Sequence, residues 1–391
     1  MKLGILTYYR TGNFGANLQA VSTYSYLKKA GHEVVFLHYL SRYTDYVETK
    51  SEKVNKQLGE HYRFIDKNIP TQSKKIFSLG QLEDVIKDEK IEGILIGSDA
   101  VLQHFPLLST LRWGQGLKAW IRPIQGERRF PNIFWGCGFA DQIPTGMISV
   151  SSQKSPYDKW MGCTKKKMAK CLNAMRFISV RDEWTQKLVN SVCPSLKPNI
   201  TPDPVFAFNQ NAGHLVPSKE EVCGKFGLKD KYALVGLRGN FISDEVLKDI
   251  ESRFSKRGIQ CVAFPVLTPS HLGYAKKIDL PLNPIYWYAL IKYAQAYIGN
   301  NMHPIVVCIH NAVPFFSFDN YGTKHANGLF CDSSTSKIRH ILKVAKLLDC
   351  RIASNSLFRR TPSPDHVFNK LQTFDKAKCT TFAQDYLSKY N

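Results

Sequence analysis

The stretch between residues 284 and 318 constrains the fold most, because helical and strand patterns alternate within it. Tyr286 to Tyr293 carries large apolar side chains at helical spacing, and Ala296-Tyr297-Ile298 is a short apolar run that predicts a strand. The turn Gly299-Asn300-Asn301 ends that strand. A second helix and a second strand follow. This alternation predicts an α/β fold.

His303 lies between the first of these strands and the second helix, in which we expect Pro304 to occupy the first position. In open α/β sheets, ligands bind outside the carboxyl ends of the strands. The free N–H groups at a helix start also favour an anion there. His303 is therefore a candidate ligand-binding residue. From the residues alone, the alternative is that His303 only caps the helix.

The first 39 residues predict a strand, a loop, a helix and a second strand. The strand covers residues 2–8, the loop 9–16 and the helix 17–30. Gly12 and Gly15 allow close approach of a ligand to the backbone of the loop. Their spacing is not that of a dinucleotide-binding motif, and a plain tight turn is the alternative.

Two further predicted strands end in polar residues. The buried strand Ile91 to Ile96 is followed by Gly97-Ser98-Asp99, and the strand Tyr232 to Leu237 is followed by Arg238. Asp99 and Arg238 are thus predicted at carboxyl ends of strands, where ligands bind. The alternative for Asp99 is a capping role in the turn.

Arg181 follows a short predicted strand, Phe177 to Val180, and precedes a predicted helix. Its guanidinium can bind a carboxylate or a phosphate through two parallel hydrogen bonds. A salt bridge to Asp182 or Glu183 is the alternative.

Composition narrows the class of protein. A chain of 391 residues suffices for two domains, and no apolar run approaches the roughly 18 residues that a membrane span needs. Met1-Lys2 leads directly into a strand, so we expect no signal peptide. The ten cysteines show no zinc-binding spacing, which predicts reduced cysteines in a cytosolic protein and no metal.

The net charge of +21 is compatible with nucleic acid, an anionic membrane surface or anionic substrates as partners. Part of this charge lies in residues 111–170, here called the basic segment, which interleaves Lys and Arg with Trp113, Trp120 and Trp160. Lysines 165, 166, 167 and 170 close it. The segment is either a solvated face or a surface that docks on anionic lipid headgroups.

The N-terminal sequence TGNFGANLQAV resembles the opening of the polysaccharide pyruvyltransferase family, with Asn13, Gly15, Ala16 and Gln19 at matching positions. Short motifs similar to those of the family follow in the same order. They are Gly97-Ser98-Asp99, Ser179-Val180-Arg181-Asp182, Asp203-Pro204, His303 and Lys324. The resemblance extends to about residue 345. It implies an α/β fold of two Rossmann-like domains in a GT-B-like arrangement, covering 1–205 on the acceptor side and 206–391 on the donor side. The C-terminal tail can then cross back to the first domain.

The resemblance also implies an activity: transfer of pyruvate from phosphoenolpyruvate to two hydroxyls of a galactose-like hexose, as a cyclic ketal. The expected acceptor is a sugar on a polyprenyl diphosphate carrier, for a surface polysaccharide. Phosphoenolpyruvate is then a co-substrate, and neither a cofactor nor a metal is expected. The implied catalytic residues are His303 as acid and Asp99 as base. The implied donor-binding residues are Arg181, Arg238, Lys324 and Asn301, and the implied acceptor-binding residues are Asn13, Gly15, Gln19 and Ser98.

The sequence departs from the family pattern near the residues expected to bind the donor. Asn301 stands where several family members carry arginine, and Pro304 stands where glycine is common. A GT-B glycosyltransferase that uses a nucleotide sugar therefore stays an alternative. A nucleic-acid partner is not expected, because no recognised nucleic-acid module appears. We expect a cytoplasmic protein bound peripherally to the inner face of the cytoplasmic membrane through the basic segment.

Overall fold

The computed structural model describes residues 1–40, 51–106, 111–113, 119–121, 126–153, 155–237, 242–265, 273–325, 330–353 and 363–390. The chain divides into two compact units, unit 1 (Met1–Ala212) and unit 2 (Gly213–Lys389). The sequence-based boundary after residue 205 falls inside a buried 3₁₀ helix, Pro204–Ala207, that packs against the first helix of unit 1. This packing keeps residues 206–212 with unit 1.

Unit 1 is built on a six-stranded parallel sheet. In chain order its strands are β1 (Lys2–Leu6), β2 (Glu33–Phe36), β3 (Gly93–Asp99), β6 (Thr145–Val150), β7 (Phe177–Val180) and β8 (Asn199–Ile200). The strands β4 (Leu111–Trp113) and β5 (Ala119–Ile121) form a separate antiparallel pair. The helices are α1 (Phe14–Lys29), α2 (Glu52–Asn68), α3 (Leu79–Asp88), α4 (Gly162–Asn173), α5 (Glu183–Val192) and α6 (Phe208–Ala212).

Helix α1 begins at Phe14, three residues before the predicted start at residue 17. Asn13 accounts for the difference, because its side-chain oxygen accepts a hydrogen bond from the N–H of Gly15 at 3.1 Å and so caps the helix. Gly15, expected in a ligand-binding loop, is buried in the first helical turn.

Helix α2 lies at the surface of unit 1 and buries one face against α1. His61 lies at the centre of that face with no exposed surface. Its ring nitrogens lie 2.8 Å from the amide nitrogen of Asn17 and 3.0 Å from that of Gln57. A network of polar side chains therefore replaces part of the apolar packing here.

Unit 2 repeats the architecture with a second six-stranded parallel sheet. Its strands are β9 (Tyr232–Gly236), β10 (Gln260–Ala263), β11 (Lys276–Lys277), β12 (Ala296–Gly299), β13 (Phe315–Asp319) and β16 (Arg351–Ala353), and β14 (Thr323–His325) pairs with β15 (Phe330–Asp332) in a hairpin. The helices are α7 (Lys219–Phe226), α8 (Asp244–Ser255), α9 (Pro284–Lys292), α10 (Met302–His310), α11 (Lys337–Val344), α12 (Pro364–Gln372) and α13 (Lys376–Leu387). The predicted α/β class with two Rossmann-like domains is confirmed.

The stretch from Pro284 to Phe318 forms α9, β12, α10 and the start of β13, in the predicted order. All residues of β12 and β13 are buried, as expected for strands covered on both faces of a parallel sheet. Helix α10 begins at Met302, so Pro304 is its third residue rather than its first. Proline is tolerated there because N–H groups in the first turn have no partner within the helix.

The C-terminal tail adds two helices to unit 2. Helix α12 packs against β13, and α13 packs against α10. The ring of Phe368 in α12 lies 4.8 Å from that of Phe254 in α8. A return of the tail to the first domain stays a prediction.

No helix in the described part of the chain is long and apolar enough to cross a membrane.

Candidate functional site

In each sheet there is one pair of adjacent strands from which the chain continues in opposite directions, here called the switch. Candidate residues lie at the switch in both units. In unit 1 the spatial strand order is β2-β1-β3-β6-β7-β8, so this switch falls between β1 and β3. In unit 2 the order is β11-β10-β9-β12-β13-β16, so the switch falls between β9 and β12. Open α/β sheets bind ligands in the crevice outside the carboxyl ends of these two strands.

Tyr8 and Asp99 lie at the switch of unit 1. Leu6 in β1 pairs with Ile96 in β3, so the residues that follow run side by side. The hydroxyl of Thr7 donates a hydrogen bond of 2.5 Å to the carbonyl of Ser98. The phenol of Tyr8 and the carboxylate of Asp99 are therefore held at the same edge of the sheet.

Asp99 has a backbone conformation that side-chain-bearing residues seldom adopt, with a φ of 94°. Its carbonyl accepts hydrogen bonds from the N–H groups of Val101 and Ser151, at 2.9 and 2.8 Å. Its Oδ1 accepts a bond of 2.7 Å from the N–H of Ala100. Strained backbone of this kind costs about 1–3 kcal/mol and clusters at functional sites. Asp99 is therefore fixed in place. Its carboxylate also caps the turn through the N–H of Ala100, which is the alternative role, and its role as a base stays a prediction.

Arg181 lies in a buried ion pair. Its Nη1 is 2.8 Å from Oδ2 of Asp203, and the side chains are 8% and 4% exposed. Burial by itself lowers the pKa of Arg181. The carboxylates of Asp203, Asp99 and Asp182 outweigh it, so the pKa is raised overall. Arg181 thus carries a permanent positive charge within electrostatic reach of Asp99.

The predicted salt bridge from Arg181 to Asp182 or Glu183 is corrected by this geometry. Asp182 instead caps α5, because its Oδ1 accepts from the N–H of Thr185 at 2.8 Å and its Oδ2 accepts from the hydroxyl of Ser151 at 2.8 Å. Donor binding by Arg181 stays a prediction.

Three of the four predicted acceptor-binding residues are buried in unit 1. Gln19 is 3% exposed and donates a hydrogen bond of 2.6 Å to Asp203, while Ser98 is 2% exposed and donates one of 2.9 Å to the carbonyl of Ser149. Gly15 is buried in α1, and acceptor binding by these three residues stays a prediction. Only Asn13 among the four is exposed.

Sequence reasoning missed an aromatic and acidic cluster beside Asp99. Tyr39 donates a hydrogen bond of 2.8 Å to Glu127, and the ring of Phe134 lies 4.7 Å from Tyr8 and 5.7 Å from Tyr39. Burial raises the pKa of Tyr8, and the charges of Glu127 and Asp99 raise it further. Tyr8 therefore stays protonated and can donate a hydrogen bond. The only sequence signal was the position of Tyr8 just after β1.

His303 and Asn301 lie at the switch of unit 2. Asn301 precedes α10, and its side chain makes no capping hydrogen bond. His303 is the second residue of α10 and is half-buried. Both residues follow β12, so the predicted strand-to-helix position of His303 is observed, next to the N-terminal N–H groups of a nine-residue helix that favour an anion.

The side chains of two predicted donor-binding residues lie outside the described part of the chain. Arg238 lies outside the described residues. Lys324 belongs to β14, and its side chain also lies outside them.

The structure corrects the role of one tryptophan in the basic segment. Trp160 is 6% exposed, with its ring 5.2 Å from His104 and 6.2 Å from Trp135. It belongs to the core of unit 1 and is not available to a membrane. The side chains of Trp113 and Trp120 lie outside the described residues. On and beside α4, Met161 is 71% exposed, and Lys166, Lys167 and Lys170 are also exposed.

Within the described ranges, no three His, Cys, Asp or Glu side chains lie close enough together to hold a metal ion.

Two parallel six-stranded sheets with interleaved helices define an α/β protein of the GT-B-like class. The fold is similar to that of UDP-GlcNAc 2-epimerase from Neisseria meningitidis, solved with bound UDP-GlcNAc, with a TM-score of 0.52, 12% identity and full coverage of both chains. The epimerase from Methanocaldococcus jannaschii gives a TM-score of 0.54 at 10% identity, again over 100% of both chains. At this identity the likeness establishes the fold alone.

The family follows from the sequence itself. A sequence profile for the polysaccharide pyruvyl transferase family matches residues 13–321. The chain belongs to this family. None of the curated proteins compared with the sequence matches it.

Proposed function

We propose that the protein transfers pyruvate from phosphoenolpyruvate to two hydroxyls of a galactose-like hexose, forming a cyclic ketal on a lipid-linked precursor of a surface polysaccharide. The observation that carries this proposal is the position of His303. It lies at the N-terminal end of α10 and at the switch of the unit 2 sheet, inside the part of the chain that matches the family.

The reaction sets requirements for the donor edge of unit 2. Phosphoenolpyruvate carries a phosphate and a carboxylate, which a helix N-terminus and nearby cations stabilise. His303 is the proposed acid that protonates the methylene carbon of the donor. Asn301, Lys324 and Arg238 of unit 2 are proposed donor-binding residues, and Arg181 of unit 1 is proposed as a fourth. Because Asn301 lacks a charge, Arg238 and Lys324 carry most of the proposed attraction.

The acceptor edge of unit 1 must accept protons. Two acceptor hydroxyls each form a bond to the central carbon of phosphoenolpyruvate, and the bond from that carbon to the phosphate oxygen breaks. One proton goes to the methylene carbon, and the other leaves with inorganic phosphate. Asp99 is the proposed base. Tyr8 and the exposed Asn13 are the side chains proposed to hold the sugar at this edge.

The test is incubation of the protein with phosphoenolpyruvate and polyprenyl-diphosphate-linked sugars, followed by mass spectrometry and phosphate measurement. We expect one phosphate released for each sugar that gains a pyruvyl ketal. Calorimetry with phosphoenolpyruvate and with uridine and guanosine nucleotides separates this activity from glycosyl transfer. Tight binding of a nucleotide without binding of phosphoenolpyruvate would overturn the proposal.

The proposed location is the cytoplasmic face of an anionic membrane, where lipid-linked sugars are found. The exposed lysines of α4 and the neighbouring Met161 support it, since basic residues near anionic headgroups attract the protein and an apolar side chain can enter the interface.

A further inference from the structure

The thiols of Cys137 and Cys171 touch. Their sulfur atoms lie 2.8 Å apart, which is closer than van der Waals contact between two sulfurs. The two residues are 34 positions apart in the sequence, both are half-buried, and both are free cysteines. Neither thiol takes part in the proposed transfer reaction.

Packing around Gly136 holds the two thiols together. Gly136 follows the 3₁₀ helix Ile133–Trp135 and has a φ of 72°, which favours glycine. A Cβ at this position would overlap the terminal methyl group of Met175, just beyond the end of α4, and the 3₁₀ helix itself packs against α4. The segment around Gly136 therefore lies against the helix that carries Cys171.

We propose that Cys137 and Cys171 form a peroxide-sensitive dithiol that closes to an intramolecular disulfide. The thiolate of Cys171 attacks one oxygen of hydrogen peroxide and becomes a sulfenic acid, with release of water. The thiol of Cys137 then attacks the sulfenic sulfur, and a second water leaves. Two thiols and one peroxide give one disulfide and two waters, so the sulfurs lose two electrons and the peroxide gains them.

The position of Lys170 assigns the two roles, because Cys171 is the next residue in α4. The hydrogen bond from Cys137 and the charge of Lys170 lower the pKa of Cys171, against the opposing effect of burial. The same hydrogen bond raises the pKa of Cys137, and burial adds to the effect. Since the thiolate is the nucleophile, Cys171 attacks first and Cys137 resolves the intermediate.

The disulfide would link the end of α4 to the segment that carries Phe134. The ring of Phe134 contacts Tyr8 beside Asp99. Oxidation would therefore tie the lysine-bearing helix to one wall of the candidate site in unit 1.

The experiment uses the full-length protein with Cys163→Ser, because Cys163 is exposed on the same helix and could cross-link molecules. After treatment with hydrogen peroxide, free thiols are alkylated and the protein is digested with trypsin without reduction. We expect a disulfide between the peptide of residues 130–154 and that of residues 171–176, reversed by dithiothreitol. The oxidised protein should also melt at least about 5 °C higher, because the cross-link restricts the unfolded chain.

Substitutions of each cysteine and of Lys170 test the assigned roles. Cys137→Ser should accumulate a sulfenic acid at residue 171 that dimedone traps, whereas Cys171→Ser should leave residue 137 unreactive. Lys170→Gln should slow oxidation several-fold, and Lys167→Gln serves as its matched control. Both thiols remaining open to alkylation after peroxide treatment, or a cross-link between molecules only, would overturn the proposal.

Discussion

Arg181 and Asp203 form an ion pair in which Nη1 and Oδ2 are 2.8 Å apart and neither side chain is more than 8% exposed. Asp203 also accepts a hydrogen bond from Gln19 in α1, and its other oxygen caps the 3₁₀ helix that begins at Pro204. The pair thus joins the end of β7 to α1 and to the last part of unit 1. A charge buried this deeply is stable only while its partner is present.

Removing one member of this pair should destabilise unit 1. Asp203→Asn leaves the guanidinium of Arg181 buried without its counter-charge, so the free energy of unfolding should fall by about 3–5 kcal/mol. Denaturant unfolding followed by fluorescence measures this loss. Asp365→Asn is the control, because Asp365 pairs with Arg253 at the surface and is 71% exposed, and it should change the midpoint little. Equal effects of the two substitutions would contradict the structural role of the pair.

His303→Ala should lower turnover by about 10²–10⁴-fold, the usual contribution of a general acid or base. The fold should be unaffected, because His303 lies in the first turn of α10 and is only half-buried. Steady-state phosphate release measures turnover, and circular dichroism checks the fold. His214→Ala, at an exposed position, is the matched control. A folded His303→Ala protein with normal turnover would show that this histidine is structural.

Asp99→Gly separates the chemistry of Asp99 from its backbone strain. Glycine adopts a φ of 94° without cost, so the melting temperature should stay the same or rise, while turnover should fall by about 10²–10⁴-fold. Asp99→Asn should lose turnover similarly and keep its affinity for phosphoenolpyruvate in calorimetry. The exposed Asp141→Asn is the control for acid substitution in unit 1. Retained activity in both Asp99 variants would exclude it as the base.

Stability should decrease in mild acid because of buried histidines. Burial lowers the pKa of His61 to about 3, whereas the unfolded chain binds a proton at this residue near pH 6.5. Between these pH values the unfolded state holds more protons. His61 therefore contributes fully above pH 6.5, and its contribution is lost as the pH falls towards 3, by about 1.4 kcal/mol per pH unit. Burial also lowers the pKa of His104 to about 4.

The pH dependence can be assigned by substitution. Denaturant unfolding between pH 7 and 4 should show a slope smaller by about one proton in His61→Gln than in the wild type. His214→Gln, at an exposed site, should keep the wild-type slope. Identical slopes in all three proteins would mean that His61 is not buried in its neutral form.

Local sequence patterns predicted the strands and helices of unit 2 well, because the side chains that determine each of these elements are neighbours in the sequence. The predicted helix from Tyr286 to Tyr293 differs from α9 by only one or two residues at each end. Asn283 and Pro284 explain the earlier start, since the asparagine accepts a hydrogen bond from the N–H of Ile285 and the proline occupies the first position.

Contacts between distant residues could not be predicted in this way. The partner of Arg181 lies 22 residues further along the chain, and Glu127 meets Tyr39 across 88 residues. The lysines near Trp160 in the sequence suggested that its side chain faces a membrane interface. In the structure it packs against Trp135 in the core of unit 1. The sequence therefore located the strand ends that carry Asp99 and His303, whereas the pairs formed by tertiary packing appeared only in the structure.

The lysines of α4 give the last prediction, which concerns the membrane. If this helix docks on anionic lipid, each of Lys166, Lys167 and Lys170 contributes about 1 kcal/mol, so replacing all three with glutamate should weaken vesicle binding by at least about 10²-fold. Flotation with anionic and neutral vesicles measures this. Wild-type binding should also disappear at high salt, because the Debye length falls to about 3 Å at 1 M.

A matched variant separates docking from net charge. Lys53, Lys56 and Lys67 are exposed on α2, and replacing these three with glutamate changes the net charge by the same amount. If α4 is the docking surface, this variant should keep most of the binding to anionic vesicles at low salt. Equal losses in the two triple variants would mean that only the overall charge matters. No preference of the wild type for anionic vesicles would rule out the docking surface.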